Sequence, residues 1–521
     1  MQIVEDRAVL IKTRRPEKYT VIPKSRIVEK HDNGGYTVAV YFGLDEMRVL
    51  RNLGVKNAPS PIVKRYDWPG RFKPMAHQID TAAFFTLHRR AFCFNDPGTG
   101  KTLAALWAAD YLMRRGDVRR VLILCPLSIM HSAWMQDIGN SVIHRTAIVA
   151  HHAQAVRRIE MVQGDYEFVI TNYEGLNLIA TEIKNDGRFD LVIVDEANAY
   201  ANPTTTRWKS LSSIITPNTY LWMMTGTPAA QSPINAYGLA RLVNPSGVPK
   251  FATAWRDKVM NKVTTFKWVP KADAKQTVHE ALQPAIRYTK EQCLDLPPVV
   301  TETRAVPMSP QQTKYYKLLK EQMMIQAAGE TITAVNAGVA LSKLLQLSAG
   351  GVYTDDKEVV EFDSAPRLQA LREVIEETSR KVIVFAMFRS SIDTICANLE
   401  KHHISFAQIH GGVSATKRAG LINDFQTKDD FRVLVMQPQA TAHGITLTAA
   451  DTVVFYGPLM SVEMYLQCIA RADRKGQNAD KVTVVHIQSS PIEERMFKAL
   501  QSKVSDHSLL VSMFDTEMRD S

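Results

Sequence analysis

The residues best suited to chemistry lie together in the segment FCFNDPGTGKT. The residues after this segment have the apolar periodicity of a helix. Gly98 and Gly100, with Thr99 between them, allow the backbone to curl so that its N–H groups face phosphate oxygens. Lys101 would bring a positive charge to the β and γ phosphates, and the hydroxyl of Thr102 would reach Mg²⁺. The segment predicts a binding loop for a nucleoside triphosphate with Mg²⁺, whereas a glycine-rich turn without a ligand would not need the flanking strand and helix.

A second candidate is the acidic pair in LVIVDEAN, where Asp195 and Glu196 follow four apolar residues. Two carboxylates at the end of a buried strand can divide the work of hydrolysis. Asp195 would hold Mg²⁺ through water, and Glu196 would orient and deprotonate the attacking water. An isolated acidic pair usually lies on the surface, but the upstream phosphate loop favours the catalytic interpretation here.

Two further segments can be given a functional interpretation only together with these motifs. Thr225, Gly226 and Thr227 follow another apolar run and could couple the acidic pair to a moving element, although a plain turn fits them equally well. Arg471 and Arg474, three residues apart, would share a face if they lie on a helix. Arginine spreads several donors around the charge that develops during phosphoryl transfer.

Two series of short apolar runs must position these residues. The first begins near residue 74 and the second near residue 381, and each alternates with helical patterns. Such runs are typical of α/β lobes with doubly wound parallel sheets, whose chemistry lies at the carboxyl ends of the strands. The predicted domains are a small, partly β accessory domain (1–70), a first lobe (71–250), a mostly helical linker (251–365), a second lobe (366–510) and a tail (511–521).

Composition narrows the possible functions. The net charge of +10 favours a polyanionic partner such as DNA, although charge alone is weak evidence. The five cysteines are scattered without ligand spacing, which argues against structural zinc and disulfides and for a reducing compartment. No apolar run is long enough for a membrane span, and the N-terminus lacks a signal-peptide pattern, so we expect a cytoplasmic protein without a membrane partner.

In order and spacing, these motifs resemble the superfamily-two helicases, specifically the SWI/SNF-type DNA-translocating ATPases. The resemblance runs from Lys73 to about Arg495 and includes KPMAHQ, ILCPLSIMHSAW, ITNYEGL, TGTPAAQSPINAYGLARLVNP, HGGVSATKR and HGITLTAADTVVFYG. It also includes QCIARADRKGQ, and the ending Arg-Lys-Gly-Gln favours this branch over DEAD-box RNA helicases. The resemblance implies two RecA-like lobes with ATP between them and double-stranded DNA, in some cases forked or branched, bound across both.

The resemblance also implies roles for further residues. Gln78 would read adenine, Gln467 would contribute to the nucleotide site, and Arg474 is the preferred arginine finger, with Arg471 beside it. Residues that match the family's DNA-contacting motifs are Ser128, Trp134, Thr171, Tyr173, His410, Gly411 and Thr446.

The sequence departs from the family pattern at several positions. The phosphate loop begins with Asn95 instead of Gly or Ala, and the acidic motif ends in Asn198 instead of His. Thr441-Ala442-His443 replaces the usual glycines of the fifth motif. Because the family's large inserts look short, we expect a compact motor of bacterial or viral origin, acting on DNA in the bacterial or host-cell cytoplasm.

Two alternatives stay open from the sequence. One is a helicase that separates strands of DNA or RNA. The other is a factor that acts on RNA polymerase or the replisome and uses ATP as a conformational switch, with residues 1–70 contacting a protein partner. A nuclease is disfavoured because no additional group of carboxylates stands outside the motor motifs.

Overall fold

A computed structural model describes residues 1–226, 232–263, 268–293, 296–329, 334–354, 358–441, 445–474 and 476–502. The chain divides into two compact units. The first consists mainly of the described residues up to Cys293, and the second mainly of those that follow.

The first unit begins with a four-stranded antiparallel sheet. Its central strand carries the alternating run YTVAVY, with Val38 and Val40 fully buried, and Gly34 turns the chain before it with φ +76°. The strands, in the order β1-β2-β4-β3, are β1 (Gln2–Val4), β2 (Ala8–Thr13), β3 (Ser25–Lys30) and β4 (Tyr36–Tyr41). The helices are α1 (Glu17–Thr20), α2 (Leu44–Asn52) and α3 (Ile62–Arg65).

A parallel sheet of seven strands forms the centre of the first lobe. Its inner strands are almost wholly buried, as expected for apolar runs that helices cover on both faces. The strands of this part are β5 (Arg90–Cys93), β6 (Arg120–Leu124), β7 (Ala147–Val149), β8 (Phe168–Thr171), β9 (Phe189–Val194), β10 (Tyr220–Met224), β11 (Met260–Lys262), β12 (Trp268–Pro270) and β13 (Ala285–Ile286). Their order in the seven-stranded sheet is β13-β5-β10-β9-β6-β8-β7.

Helices follow most of these strands. They are α4 (Ala76–Leu87), α5 (Lys101–Arg114), α6 (Gln136–Ser141), α7 (Ala155–Gln163), α8 (Tyr173–Asp186), α9 (Thr206–Ile214), α10 (Ala236–Val243), α11 (Ala252–Val259), α12 (Ala274–Ala281) and α13 (Lys290–Cys293). One π-helical turn, Met130–Met135, precedes α6.

The second lobe contains a parallel sheet of six strands in the order β14-β21-β20-β17-β19-β18. Alternate residues of its strands enter different cores: Ile383 and Phe385 pack on one face, and Val382 and Val384 pack on the other. The strands of this unit are β14 (Val299–Ala305), β15 (Gly351–Tyr353), β16 (Val359–Glu361), β17 (Lys381–Phe385), β18 (Phe406–Ile409), β19 (Val433–Met436), β20 (Ala450–Phe455) and β21 (Val482–Gln488).

The helices of the second unit are α14 (Pro310–Gly329), α15 (Ala334–Ser348), α16 (Ala365–Glu377), α17 (Arg389–Lys401), α18 (Ala415–Thr427), α19 (Val462–Ile469) and α20 (Pro491–Gln501). Within the described ranges, no helix has the length and apolarity that crossing a membrane requires.

The predicted α/β class with two parallel sheets is confirmed. The described part of the segment between the two series contains five helices, and it also contains strands that the sequence did not predict. It contributes an edge strand to each sheet: β13 pairs with β5, and β14 pairs with β21. Sequence patterns missed both strands for physical reasons. β13 has only two residues, and β14 is largely exposed and lacks the apolar run of a buried strand.

Candidate functional site

The phosphate loop connects β5 to α5, as its sequence predicts. Gly98 and Gly100 have φ values of +87° and +78°, in the left-handed region that favours glycine. A side chain at position 100 would also meet the amide of Gln78, since an added Cβ would lie 2.0 Å from Gln78 Nε2. The positive φ therefore favours glycine at position 100, and a larger residue there would also displace the Gln78 amide.

The loop's own carbonyl groups hold its lysine. Lys101 Nζ donates hydrogen bonds to the carbonyl oxygens of Asn95 at 2.7 Å and Asp96 at 3.3 Å. Thr99 is buried, and its hydroxyl also donates to the Asp96 carbonyl at 2.8 Å. Thr102 lies half-buried in the first turn of α5. An incoming phosphate would compete with two carbonyl oxygens for the lysine's hydrogens.

Gln78 is buried and supports this loop. Its Oε1 accepts a hydrogen bond from Met75 N at 3.0 Å, and its Nε2 donates to the Thr99 carbonyl at 3.3 Å. His77 Nε2 lies 2.8 Å from the same carbonyl oxygen. An amide has a second N–H and a second lone pair, so these two bonds do not decide whether Gln78 reads adenine, and that role stays a prediction.

Asn95, the departure from the family pattern, is 1% exposed and joins two parts of the first unit. Its Nδ2 donates to Thr81 Oγ1 at 2.9 Å, and its Oδ1 accepts from Tyr288 N at 2.9 Å. The Tyr288 hydroxyl donates to Asp80 Oδ2 at 2.8 Å. The sequence offered no signal for this link because the partners are 14 and 193 residues away from Asn95 in the chain.

Further backbone bonds hold the same segment against the loop. Phe94 N donates to the Ile286 carbonyl at 2.8 Å, and Asp96 N donates to the Tyr288 carbonyl at 3.0 Å. Lys290 N donates to Asp96 Oδ2 at 3.2 Å. The chain that leaves the first sheet is therefore bonded to the phosphate loop on both sides of Asn95.

The acidic pair lies at the carboxyl end of β9, close in the sheet to the phosphate loop. β10 is hydrogen-bonded to both β5 and β9, so the loops after these three strands leave one edge of the sheet side by side. Asp195 Oδ2 accepts from Trp134 Nε1 at 3.0 Å, and Oδ1 accepts from Glu196 N at 3.0 Å. Glu196 has φ +47°, so the backbone turns sharply at the predicted base.

The coupling segment follows β10, between the other two motifs. Thr225 is fully buried, and its N–H donates to the Cys93 carbonyl at 3.0 Å. Gly226 lies against the phosphate loop, since a Cβ there would come 2.8 Å from Pro97 Cδ. Thr227, the third predicted coupling residue, lies outside the described residues.

Three residues predicted to contact DNA in the first lobe are buried instead. Trp134 and Thr171 have no exposed surface, and Tyr173 is 8% exposed. The Tyr173 hydroxyl donates to the Asp195 carbonyl at 2.7 Å, whereas Thr171 Oγ1 donates to the Ala150 carbonyl at 3.2 Å. In this conformation Trp134 and Tyr173 serve the acidic pair, and a direct DNA contact would require their exposure. The side chain of Ser128 is not among those described.

In the second lobe, the predicted arginine finger contacts a residue that was predicted to bind DNA. Arg474 Nη1 donates to Thr446 Oγ1 at 3.0 Å and to the Ile445 carbonyl at 3.2 Å. Arg471 is 7% exposed, and its carbonyl accepts from Leu447 N at 2.9 Å. The arginine motif is thus bound to the fifth motif within the same lobe.

The other predicted residues of this lobe lie on separate elements. Gln467 is half-buried on α19, and its Nε2 donates to Glu463 Oε1 at 3.5 Å. His410 is half-buried and Gly411 is exposed, directly after β18. Burial and the nearby Arg389 lower the pKa of His410.

The structure does not place the two arginines on a helix. α19 ends at Ile469, and the chain then tightens into turns in which Arg471 N donates to Cys468 O at 3.2 Å and Ala472 N donates to Ile469 O at 3.1 Å. The bond between the Arg471 carbonyl and Leu447 fixes this departure from the helix. Arg471 and Arg474 therefore do not share a helical face.

The described residues contain no group of three or more His, Cys, Asp or Glu side chains that could hold a metal by themselves. The oxygen groups of Thr102 and Asp195 fit Mg²⁺, which keeps several waters and takes further ligands from nucleotide phosphates. Magnesium would then be bound together with the nucleotide.

Comparisons with known proteins match both lobes. Residues 77–349 match the SNF2-related domain, and residues 366–476 match the helicase conserved C-terminal domain. The chain is 25% identical to Chromodomain-helicase-DNA-binding protein 1-like of Mus musculus, over 88% of this chain and 53% of the relative. It is 22% identical to SWI/SNF-related matrix-associated actin-dependent regulator of chromatin subfamily A-like protein 1 of Xenopus tropicalis, over 80% of this chain and 42% of the relative.

Among solved structures, the chain is similar to the Sulfolobus solfataricus SWI2/SNF2 ATPase core in complex with dsDNA. The TM-score is 0.42 and the identity 19%, with 84% of this chain and 92% of that chain covered. The chain spans about half the length of the curated relatives named above.

Proposed function

This chain belongs to the SNF2-related family, and from that premise we propose that it is an ATP-dependent motor that translocates along or remodels double-stranded DNA. The observation that carries the proposal is the convergence of three motifs at one sheet edge. The phosphate loop, the Thr225 segment and the acidic pair follow the neighbouring strands β5, β10 and β9. Parallel sheets of this kind bind ligands at that edge.

In the proposed mechanism, the loop N–H groups and Lys101 bind the phosphates of ATP. Asp195 is held by Trp134 and the Glu196 N–H, which fixes the carboxylate's orientation before substrate arrives. Glu196 accepts a proton from the attacking water, and Arg474, the arginine finger that the family resemblance implies, would offset negative charge on the phosphates. Mg²⁺, held through Thr102 and Asp195, would neutralise charge on the phosphates.

The finer parts of the proposal rest on the sequence. They are the compact bacterial or viral type, action in the cytoplasm, a preference for forked or branched DNA, and a protein partner for residues 1–70. The relatives named above come from animals, so they give no support to the bacterial or viral origin.

The first test measures ATP hydrolysis with duplex, single-stranded and forked DNA and with RNA at one stated salt concentration. We expect duplex to stimulate turnover most. Stimulation by single strands or RNA without stimulation by duplex would favour the strand-separating helicase instead, and a strand-displacement assay would then identify it.

The second test removes the chemistry itself. Lys101→Ala and Glu196→Gln should each lower duplex-stimulated hydrolysis about a hundredfold or more, because one loses phosphate charge and the other the base. Lys209→Ala, at an exposed lysine on α9, is the matched control and should hydrolyse ATP at the wild-type rate. Unchanged turnover in Glu196→Gln would contradict the assignment of the base.

A further inference from the structure

The small N-terminal sheet has one face buried in the first unit and one face turned outward. Val9, Ile11, Val38 and Val40 fill the inner face and are at most 5% exposed. Because side chains alternate along a strand, their neighbours occupy the outer face. That outer face takes no part in the nucleotide chemistry described above.

Strand register shows which residues share the outer face. Arg26 of β3 pairs with Ala39 of β4, and Ala39 pairs with Leu10 of β2. Lys12 pairs with Thr37, two residues along β4. Arg26 and Lys12 are both exposed and lie on opposite sides of β4, about 10 Å apart across the sheet and about 7 Å apart along it.

Tyr41 lies on the same face between two further cations. Lys24 Nζ is 4.9 Å from the centre of its ring, and the Arg65 guanidinium is 5.2 Å from it. Arg65 Nη1 also donates to the Tyr41 hydroxyl at 3.2 Å. We call Lys12, Lys24, Arg26, Tyr41 and Arg65 the outer-sheet patch.

Positive charge predominates around the patch, and the exposed carboxylates nearby include Glu5 and Asp6, in the turn whose Asp6 carbonyl accepts from Arg65. Residues 12–30 contain seven exposed Lys or Arg side chains and two exposed carboxylates, Glu17 and Glu29. Glu29 Oε1 lies 3.6 Å from His31 Nδ1, and Lys24 lies 3.6 Å from the mostly buried Glu46. Even with these carboxylates counted, residues 12–30 carry more exposed positive than negative side chains.

We propose that the outer-sheet patch binds the sugar–phosphate backbone of duplex DNA, as a contact separate from the motor motifs. The inference rests on the proposed DNA motor function. Exposed Lys and Arg spaced over two strand widths can meet more than one phosphate, and Tyr41 offers a hydroxyl and a ring face beside them. A contact of this type positions the protein on DNA without reading base sequence.

The test uses salt dependence, because each phosphate contact adds about 0.9 to the slope of log binding constant against log salt concentration for duplex DNA. The triple variant Lys12→Gln, Lys24→Gln, Arg26→Gln in the full chain should reduce the magnitude of this slope by about 2 to 3. Its ATP hydrolysis without DNA should stay at the wild-type rate, because none of these residues belongs to the nucleotide site.

Two controls make the result specific. Lys56→Gln, Lys184→Gln, Lys209→Gln removes the same charge from exposed lysines outside the patch and should keep the wild-type slope. Lys12→Arg, Lys24→Arg, Arg26→Lys keeps the charge on the patch and should also keep the slope, which separates charge from folding.

An unchanged slope in the patch variant, or an equal reduction in the control that leaves the patch intact, overturns the inference while leaving the motor function standing. If the wild-type protein itself neither binds duplex nor is stimulated by it, the proposed function fails first. Duplex binding measured on all four proteins therefore distinguishes the two failures.

Discussion

At the scale of single residues, the indole of Trp134 has a different place from the one its motif suggested. The family resemblance implies a DNA contact, yet the ring is fully buried and its N–H holds the Asp195 carboxylate. Groups that orient a carboxylate near a metal or nucleotide typically change activity about 10- to 100-fold when removed. We therefore assign Trp134 as a positioning residue.

Trp134→Phe keeps a large ring and removes the N–H donor, so we expect ATP hydrolysis to fall about tenfold or more with and without duplex. Equal losses indicate positioning of Asp195, because a DNA contact would affect only the stimulated rate. Trp208→Phe, which removes an N–H bonded to the Gly238 carbonyl on the same lobe, is the control and should hydrolyse ATP normally. A loss confined to duplex-stimulated turnover would restore the DNA-contact interpretation.

At the scale of elements, Asn95 connects the phosphate loop with helix α4 and with the segment after β13. Asn95→Ala introduces a residue usual for the family but leaves Thr81 and the Tyr288 N–H without this buried partner. We expect the free energy of unfolding to fall by about 1–3 kcal/mol.

The same variant should raise the KM for ATP more than it lowers kcat, because the loop would be less well ordered before phosphate binds. Measured KM and kcat, together with urea unfolding, test both statements. Asn198→Ala changes the second departure from the family pattern, at the half-buried end of the acidic motif. Its KM, kcat and urea unfolding are measured beside those of Asn95→Ala. A wild-type KM and wild-type stability in Asn95→Ala would show that the hydrogen bonds of Asn95 do not position the phosphate loop.

Strand β21 carries a buried histidine, His486, whose environment favours the neutral imidazole. His486 has no exposed surface, Tyr465 Oη lies 3.0 Å from its Nε2, and its ring stacks on Phe497. Burial lowers the pKa of His486 to about 4, below its value of 6.5 in the unfolded chain. Between these values the unfolded chain binds the proton more tightly, so stability is lost as pH falls through this window.

We expect the free energy of unfolding to decrease by about 3 kcal/mol from this group as pH drops from 6.5 to about 4. Urea unfolding at neutral pH and at several acidic values should show a smaller decrease in His486→Gln than in the wild type. His402→Gln, at an exposed histidine, should retain the wild-type pH dependence. Identical acid sensitivity in His486→Gln and the wild type would contradict this assignment.

How far the sequence predicts these elements depends on burial. Apolar runs predict buried strands such as Phe168–Thr171, and glycines and a lysine at fixed spacing predict the phosphate loop. β14 is mostly exposed, and its neighbour β21 lies far away in the chain, so local patterns do not reveal it. The contacts of Asn95 and Trp134 were missed for the same reason, since tertiary structure alone brings their partners together.

At the scale of the whole molecule, residues 1–70 pack on the first lobe within one compact unit. Val9 and Val40 belong to the same continuous core as Trp107 and Ile123. Hydrogen bonds join the two parts as well: the Tyr66 hydroxyl donates to the buried Asp110 at 2.7 Å. Burial alone would raise the pKa of Asp110, but hydrogen bonds from Tyr66 and basic side chains outweigh it and lower the pKa.

Deleting residues 1–70 should therefore destabilise the first lobe and lower its Tm by about 5 °C or more, since apolar core surface becomes exposed. Thermal unfolding of the shortened and full chains measures this. Removal of residues 511–521, the predicted tail, is the control and should leave the Tm unchanged. An unaltered Tm after the N-terminal deletion would show that residues 1–70 are an independent module. A protein partner could then be sought by comparing pull-downs with the full and the shortened chain.

The segment after β13 gives the first lobe a mechanical property. After β13 the described chain adds no further strand to the seven-stranded sheet, so a pull on this segment reaches the sheet through the residues that anchor it. The first anchors on this path are the bonds from Phe94, Asp96 and Asn95 to Ile286 and Tyr288. A pull on this segment would therefore reach the phosphate loop before it reached the rest of the sheet.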